Sequence, residues 1–335
     1  MTAVSHRLDG LEPDNLLAFL ALLGLLRALE TADRKHPQGK RLFPRAGWDL
    51  DRPPLRPILF VSANATREKV VDDATSGIEE LMATHNFRGR KGLDYSREQC
   101  RKLLADQATS ARSGEREEVD LLAALMSDAA IKDGKEEAID PTPLCLLFGQ
   151  GHQHFLERLV KVPQLTTPPP RGSGTKAVSL SPSECLTEAL FQPWHRHDPT
   201  FSFRWDPEED VRYALMAGDP TDSAFRPGTQ HGANRLSAIG LAALTLVPET
   251  RAGRVRPSVI GGLSLVDGFS FAWPVWRDAA TLSAIQALLA HPGLRDPGAL
   301  EYLGVDHVLV AQRNLVNKYM NFSRGRPLAQ TGGVR

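Results

Sequence analysis

Between Asp14 and Glu30 the chain reads DNLLAFLALLGLLRALE, and apolar residues fill almost every position, interrupted only by Gly24 and Arg27. This spacing predicts a helix that is apolar on all sides, and such a helix has to be covered by other elements rather than laid on a surface. Asp14 or Asn15 can cap its first turn, with Pro13 just outside. Gly24 costs about 1 kcal/mol against alanine in mid-helix, so a neighbouring element is expected to approach closely there. The apolar run from Leu16 to Leu26 is about half the length needed to span a bilayer. It therefore predicts the centre of a globular core, which 335 residues with 41 % apolar content can build.

A second buried helix is predicted over Gly232 to Leu246 (GANRLSAIGLAALTL), ending before Pro248. The run Pro57 to Val61 reads as a short strand, with another around Trp48. Helices are expected over Thr66–Met82, Ser96–Ala111, Glu115–Ala130, His152–Val160 and Ala279–Leu289. Asp306 to Tyr319 reads as the last helix, followed by a basic tail. Phe201 to Trp205 alternates and reads as a strand with one aromatic face. Asp206-Pro207-Glu208-Glu209-Asp210 resembles a helix start, with Tyr213 and Leu215 on the short helix that follows. Residues 258–276 read as two strands around the Asp267-Gly268 turn signal. The expected class is α+β with helices in the majority, two buried Leu/Ala-rich helices and a small antiparallel sheet. Five prolines fall between Pro163 and Ser183, with Gly172-Ser173-Gly174 among them. This stretch reads as a linker or mobile loop between an N-terminal domain, 1–162, and a C-terminal domain, 184–335.

Forty Lys and Arg balance forty Asp and Glu, which excludes a globally basic nucleic-acid binder and an acidic tail. Contact with a polyanion has to come from local patches. Three widely spaced cysteines, Cys100, Cys145 and Cys185, argue against a disulfide framework or a thiolate zinc site and for a reducing, cytoplasmic setting. Asp9, Glu12 and Asp14 precede the first apolar run, so no secretory leader is expected. Nucleotide-binding, serine-hydrolase and zinc-protease signatures are missing, and no cofactor is expected. Two His-x-His pairs exist, His152/His154 and His195/His197, with Asp198 beside the second. They leave open a metal-dependent hydrolase using His195, His197 and Asp198. A protein-only scaffold that docks partners on its two buried helices is a further alternative.

The phosphate-binding signals are stronger. Asn86-Phe87-Arg88-Gly89-Arg90-Lys91-Gly92 places three cations and two glycines within five residues. Glycine lets backbone N–H groups approach a phosphate, and arginine forks it. Arg97 and Arg101 follow one helical turn apart, and Lys102 adds a sixth cation against Asp94 and Glu98. Arg171 and Lys176 flank a flexible basic loop in the Pro-rich stretch. Near the C-terminus Arg313, Lys318, Arg324, Arg326 and Arg335 face one acid, Asp306, with Asn314, Asn317, Tyr319, Asn321 and Phe322 interleaved. Cations position phosphates, asparagine reads base edges and aromatic rings stack on bases.

Three segments in order carry a resemblance: LDGLEPDNLLAFLALLGLLRALE (Leu8 to Glu30), RWDPEEDVRYAL (Arg204 to Leu215) and GANRLSAIGLAALTLVP (Gly232 to Pro248). Together they resemble subunits, of the large-subunit kind, from type I-G (formerly I-U) CRISPR Cascade effector complexes. The resemblance covers about 50 of the 335 residues. It implies a non-catalytic component of an RNA-guided surveillance complex. Its partners would be guide RNA, target double-stranded DNA, the backbone and guide-end subunits, and a helicase–nuclease recruited in trans. In such systems base pairing reads sequence, while protein reads a short motif (the PAM) and the nucleic-acid backbone.

Overall fold

Strand β1 (Ala3–Arg7) leads into helix α1 (Leu16–Lys35), the buried helix of the core. The computed structural model describes residues 3–63, 65–111, 116–132, 137–146, 154–172, 174–209, 228–265, 268–316 and 319–329. Asn15 caps α1 by accepting from the Ala18 N–H, and Arg34 and Lys35 occupy its last turn, where cations suit the helix dipole. Strands β2 (Arg45–Trp48) and β3 (Pro57–Ser62) complete an antiparallel sheet of order β1-β3-β2. Helices α2 (Arg67–Met82), α3 (Arg97–Ala111), α4 (Glu117–Leu125), α5 (Phe155–Gln164), α6 (Pro182–Phe191) and α7 (His231–Gly240) follow. The ribbon β4 (Leu246–Arg251) and β5 (Arg254–Val259) comes next, then β6 (Gly262–Leu265), β7 (Gly268–Trp276), α8 (Leu282–Leu289), β8 (Val305–Val316), β9 (Tyr319–Phe322) and β10 (Arg326–Pro327).

Helix α1 is covered on three sides. A methyl group at Gly24 would lie 1.8 Å from the Leu236 carbonyl oxygen of α7, and one at Gly240 would lie 2.1 Å from the Leu20 oxygen. The expected close approach at Gly24 is therefore a crossing of α1 and α7 on reciprocal glycines. Gly77 of α2 meets the Ala28 carbonyl in the same way. On the third side Phe19 stacks on Trp273 of β7, with ring centroids 5.6 Å apart. Arg27, the charge within the apolar run, is buried and donates to the Ile239 and Glu117 carbonyls. Burial pushes its guanidinium down to about 10. One apolar core draws on side chains from Leu8 to Phe322, on both sides of the 163–183 stretch.

The helix-majority expectation with one small sheet does not hold. The described residues form eight helices and ten strands in three sheets, 40 % helical and 23 % strand, an α+β mixture. The main source of the difference is the segment Asp306 to Tyr319, expected as a helix, whose residues up to Val316 form strand β8. β8 pairs antiparallel with β7, Phe271 opposite Ala311 and Trp273 opposite Leu309. β7 is buried along nearly its whole length, and a buried strand needs ladder partners on both edges. Phe201 to Trp205 is not a strand either. Arg204 takes φ +63°, so Phe203 and Trp205 stack at 4.4 Å instead of alternating along a ladder. The second buried helix ends at Gly240, passes through a 3-10 turn to Ala243, and gives way to β4. The expected β6–β7 hairpin forms, with Leu265 opposite Gly268, although Asp267 itself lies outside the described residues. The proposed helix bearing Tyr213 and Leu215 also lies outside them. Among the described residues no helix is long and apolar enough to cross a membrane.

Candidate nucleic-acid interface

The loop Asn86–Gly92 is held from beneath and bared at its tip. His85 is buried after α2 and donates from Nδ1 to the Leu159 carbonyl of α5 at 2.7 Å. Phe87, buried two residues on, gives the loop a second anchor. Between these anchors and Leu93 the chain turns through Arg88 (φ +51°) and Gly89 (φ +76°). A left-handed arginine costs free energy. The Asn86 side chain offsets it by accepting from the Arg88 N–H at 3.1 Å, the local turn that asparagine favours. The Lys91 carbonyl accepts from the Leu156 and Glu157 N–H groups, and so satisfies the orphan donors at the start of α5.

The six cations of this segment divide by what they touch. The Arg90 guanidinium lies 4.3 Å from the centre of the Tyr95 ring and donates to Gln99 Oε1. Burial raises the Tyr95 phenol above its ordinary range, against the pull of Arg90. Arg101 pairs with Asp128 at 2.9 Å. Lys91 sits 4.0 Å from Glu157. That carboxyl is pulled down to about 2, first by the Lys161 hydrogen bond and then by His154 and Lys91. The Arg88, Arg97 and Lys102 side chains are exposed and make no hydrogen bond or ion pair among the described residues. Arg90 and Lys91 stand between two open grooves. One, of about 1040 Å³, is lined also by Tyr95, Gln99, Glu137 and His154. The other, of about 550 Å³, runs along α2 and α5 past Glu79 and Lys161.

The remaining predicted cations are mostly committed inside the fold. Arg171 donates to fully buried Asp198 at 2.9 Å and to Glu188 at 3.1 Å. Burial works against its charge, but these two partners hold its pKa above the ordinary value. Arg324 reaches Glu208 and Asp14, both at 2.8 Å. Arg313 donates to the Pro143 carbonyl, lies over Phe269, and is depressed by burial. Freeing an arginine from a buried carboxylate costs about 3–5 kcal/mol, whereas a surface pair yields for about 1 kcal/mol or less. Arg171 is therefore a brace on buried Asp198, and Arg324 is held at the surface by more than one carboxylate, whereas Arg90 and Lys91 can exchange their partners for a phosphate. Lys176 and Arg326 are exposed. Asn317, Lys318 and Arg335 lie outside the described residues, as does His152.

The second His-x-His pair does not converge on an ion position. His195 Nδ1 accepts from the His197 N–H, and His195 Nε2 faces Glu188 at 3.5 Å. Asp198 is occupied by Arg171 and by the His231 N–H. Among the described residues no three His, Cys, Asp or Glu side chains are grouped to hold a metal ion. Burial pushes the Cys100 and Cys185 thiols up to about 12, far from the thiolate a nucleophile needs.

One basic element went unread in the sequence, the β4–β5 ribbon with Arg251, Arg254 and Arg256. Its signal was Arg-Ala-Gly-Arg between two valine-containing runs, masked by Pro248 and Pro257. Comparisons with known protein families, with curated proteins and with solved structures give no match.

Proposed function

We propose that the chain is a non-catalytic subunit of a type I CRISPR RNA-guided DNA surveillance complex, and that it grips the nucleic-acid backbone through the surface from Arg88 to Lys102. The resemblance of its three motifs supplies the complex. The observation that carries the surface is the separation of tied from untied cations: Arg88, Arg97 and Lys102 are exposed with no hydrogen bond or ion pair among the described residues, and Arg90 and Lys91 of the same segment line an open groove, while Arg171, Arg313 and Arg324 are tied to partners in the fold. Loose cations on an electroneutral body suit a protein that meets a polyanion on one face and protein neighbours on others.

The test is a salt titration of nucleic-acid binding by wild type and an Arg88→Ala/Lys91→Ala/Arg97→Ala variant. Each phosphate contact adds about 0.9 to the slope of log K against log salt on duplex DNA. The variant should bind more weakly, with a slope shallower by about 2.7. Unchanged affinity and slope would remove the surface from the assignment. Purification from cells holding the whole system, followed by nuclease digestion and RNA sizing, tests the complex. A short RNA of uniform length should travel with the chain, and its absence counts against a guide-bound assembly.

A further inference from the structure

Tyr95 is anchored in the lining of the larger groove beside Arg90 and Lys91. Its ring is 6 % exposed and belongs to the core. Its carbonyl accepts from the Ile139 N–H at 3.2 Å, and the Arg97 N–H donates to the Glu137 carbonyl. With the Ser96–Ala138 bridge between them, residues 95–97 and 137–139 run side by side as one wall. The Arg90 guanidinium lies over the Tyr95 ring, 4.3 Å from its centre. One of its N–H groups donates to Gln99 Oε1 at 3.2 Å, and another reaches the Asp94 carbonyl at 3.5 Å. Guanidinium hydrogen bonds lie in the plane of the group. These two therefore hold its edge, and Tyr95 covers one of its faces. Among the described residues no second ring covers the other face, and 35 % of the side chain is exposed. Arg90 and Tyr95 both line the groove, whose volume of about 1040 Å³ has room for a nucleotide.

A guanidinium pinned on an aromatic ring is a flat platform, and nucleobases stack on such planes. Stacking leaves every Arg90 hydrogen bond in place, whereas a phosphate forked by its edge would have to displace Gln99. The charge of the lining points the same way. Arg90 and Lys91 are matched by Asp94 and Glu137, and two carboxylates oppose a phosphate inside the groove but not an uncharged base. Groups for a base edge are at hand. Gln99 Oε1 accepts from both Arg90 and the Ser96 N–H, which fixes the orientation of the amide and leaves its NH₂ a donor without a partner among the described residues. The exposed Glu137 carboxylate is an acceptor in the same condition. Lys91, 63 % exposed, and exposed Arg97 stand beside these groups to meet the flanking phosphates. A base inside a duplex is covered on both faces by its neighbours, so the base that reaches this platform is unpaired.

We propose that this groove is a nucleobase site, in which one unpaired base of a nucleic-acid strand stacks on the Arg90 guanidinium over Tyr95. The proposal rests on the nucleic-acid reading of the chain, and the test separates the two. Full-length wild type, Arg90→Lys and the Arg88/Lys91/Arg97 alanine variant are titrated with salt against three labelled probes: a single strand, a strand of equal length and charge made of abasic residues, and a duplex. Wild type should bind the base-bearing strand about fivefold or more tightly than the abasic one. Arg90→Lys keeps the charge but not the plane, so it should lose that preference while its duplex affinity and salt slopes stay those of wild type. The triple alanine variant should bind both strands more weakly, with a slope shallower by about 2.1, and keep the preference. Equal binding of the two strands by wild type overturns the base site, needs no variant to fold, and leaves the backbone grip standing. A preference that survives Arg90→Lys, or a loss that extends to the duplex, overturns the assignment to Arg90. Binding of the duplex alone by wild type overturns the base site and leaves the nucleic-acid reading. Binding of none of the three overturns that reading, and the site with it.

Discussion

Replacing Gly24 by alanine should destabilise the chain by about 3 kcal/mol or more, although alanine is the better helix former by about 1 kcal/mol. The added carbon would lie 1.8 Å from the Leu236 carbonyl oxygen and 3.1 Å from the Gly240 nitrogen. Both obstacles are backbone, and neither can rotate away. Relief requires α1 and α7 to separate, which pulls Phe19 from Trp273 on the other side of α1. Ordinary overpacking costs about 1–3 kcal/mol, mostly where side chains can yield, so this site belongs at or above the upper end. Gly39→Ala is the control, because a carbon there meets nothing within 4 Å, and its stability should stay within about 0.5 kcal/mol of wild type. Urea unfolding followed by circular dichroism measures both. A Gly24→Ala midpoint equal to wild type would mean that the helices do not cross on these glycines.

That crossing was legible in part. The apolar run and its isolated glycine announced a buried helix with a close neighbour, because both signals are local. The identity of the neighbour was not local, since Gly240 lies far along the chain. The same distinction explains the errors. Val308, Leu309, Val310 and Ala311 form a short apolar run that fits helix or strand equally well, and only the demand of β7 for a partner decides it. Prolines demote a strand reading, yet Pro248 and Pro257 oppose each other in the ribbon, where no neighbouring strand needs their missing N–H. For the candidate site, composition located the cations but not their commitments. Arg324 meets Asp14 across 310 positions of sequence, and Arg171 meets Asp198 across 27, so which arginines brace the fold and which face solvent is a property of the tertiary structure.

Lowering the pH from 7 to 4.5 should destabilise the protein through two buried histidines, His85 and His231. Burial pushes each imidazole down to about 4, against 6.5 in an unfolded chain. His85 donates from Nδ1 to the Leu159 carbonyl, and its Nε2 is buried with no partner among the described residues. His231 donates from Nε2 to the Leu165 carbonyl, and its Nδ1 lies 3.1 Å from the Thr200 hydroxyl. Both sites hold the neutral ring. Below pH 6.5 the unfolded chain binds a proton that the folded chain refuses, so stability falls with pH until about pH 4, where the folded ring also protonates. By pH 4.5 each histidine accounts for about 2.5 kcal/mol. Glu209 acts in the opposite sense, since burial pushes its carboxyl up to about 7, and Glu157, held down to about 2, loses its contribution only at lower pH. Comparison of wild type with His85→Gln and His231→Gln cancels both carboxylates, because glutamine keeps a donor for the carbonyl and carries no titration. Between pH 7 and 4.5, measured by urea unfolding, wild type should lose about 2.5 kcal/mol more than either variant. Parallel stability curves for all three proteins would show that neither imidazole is held neutral by the fold.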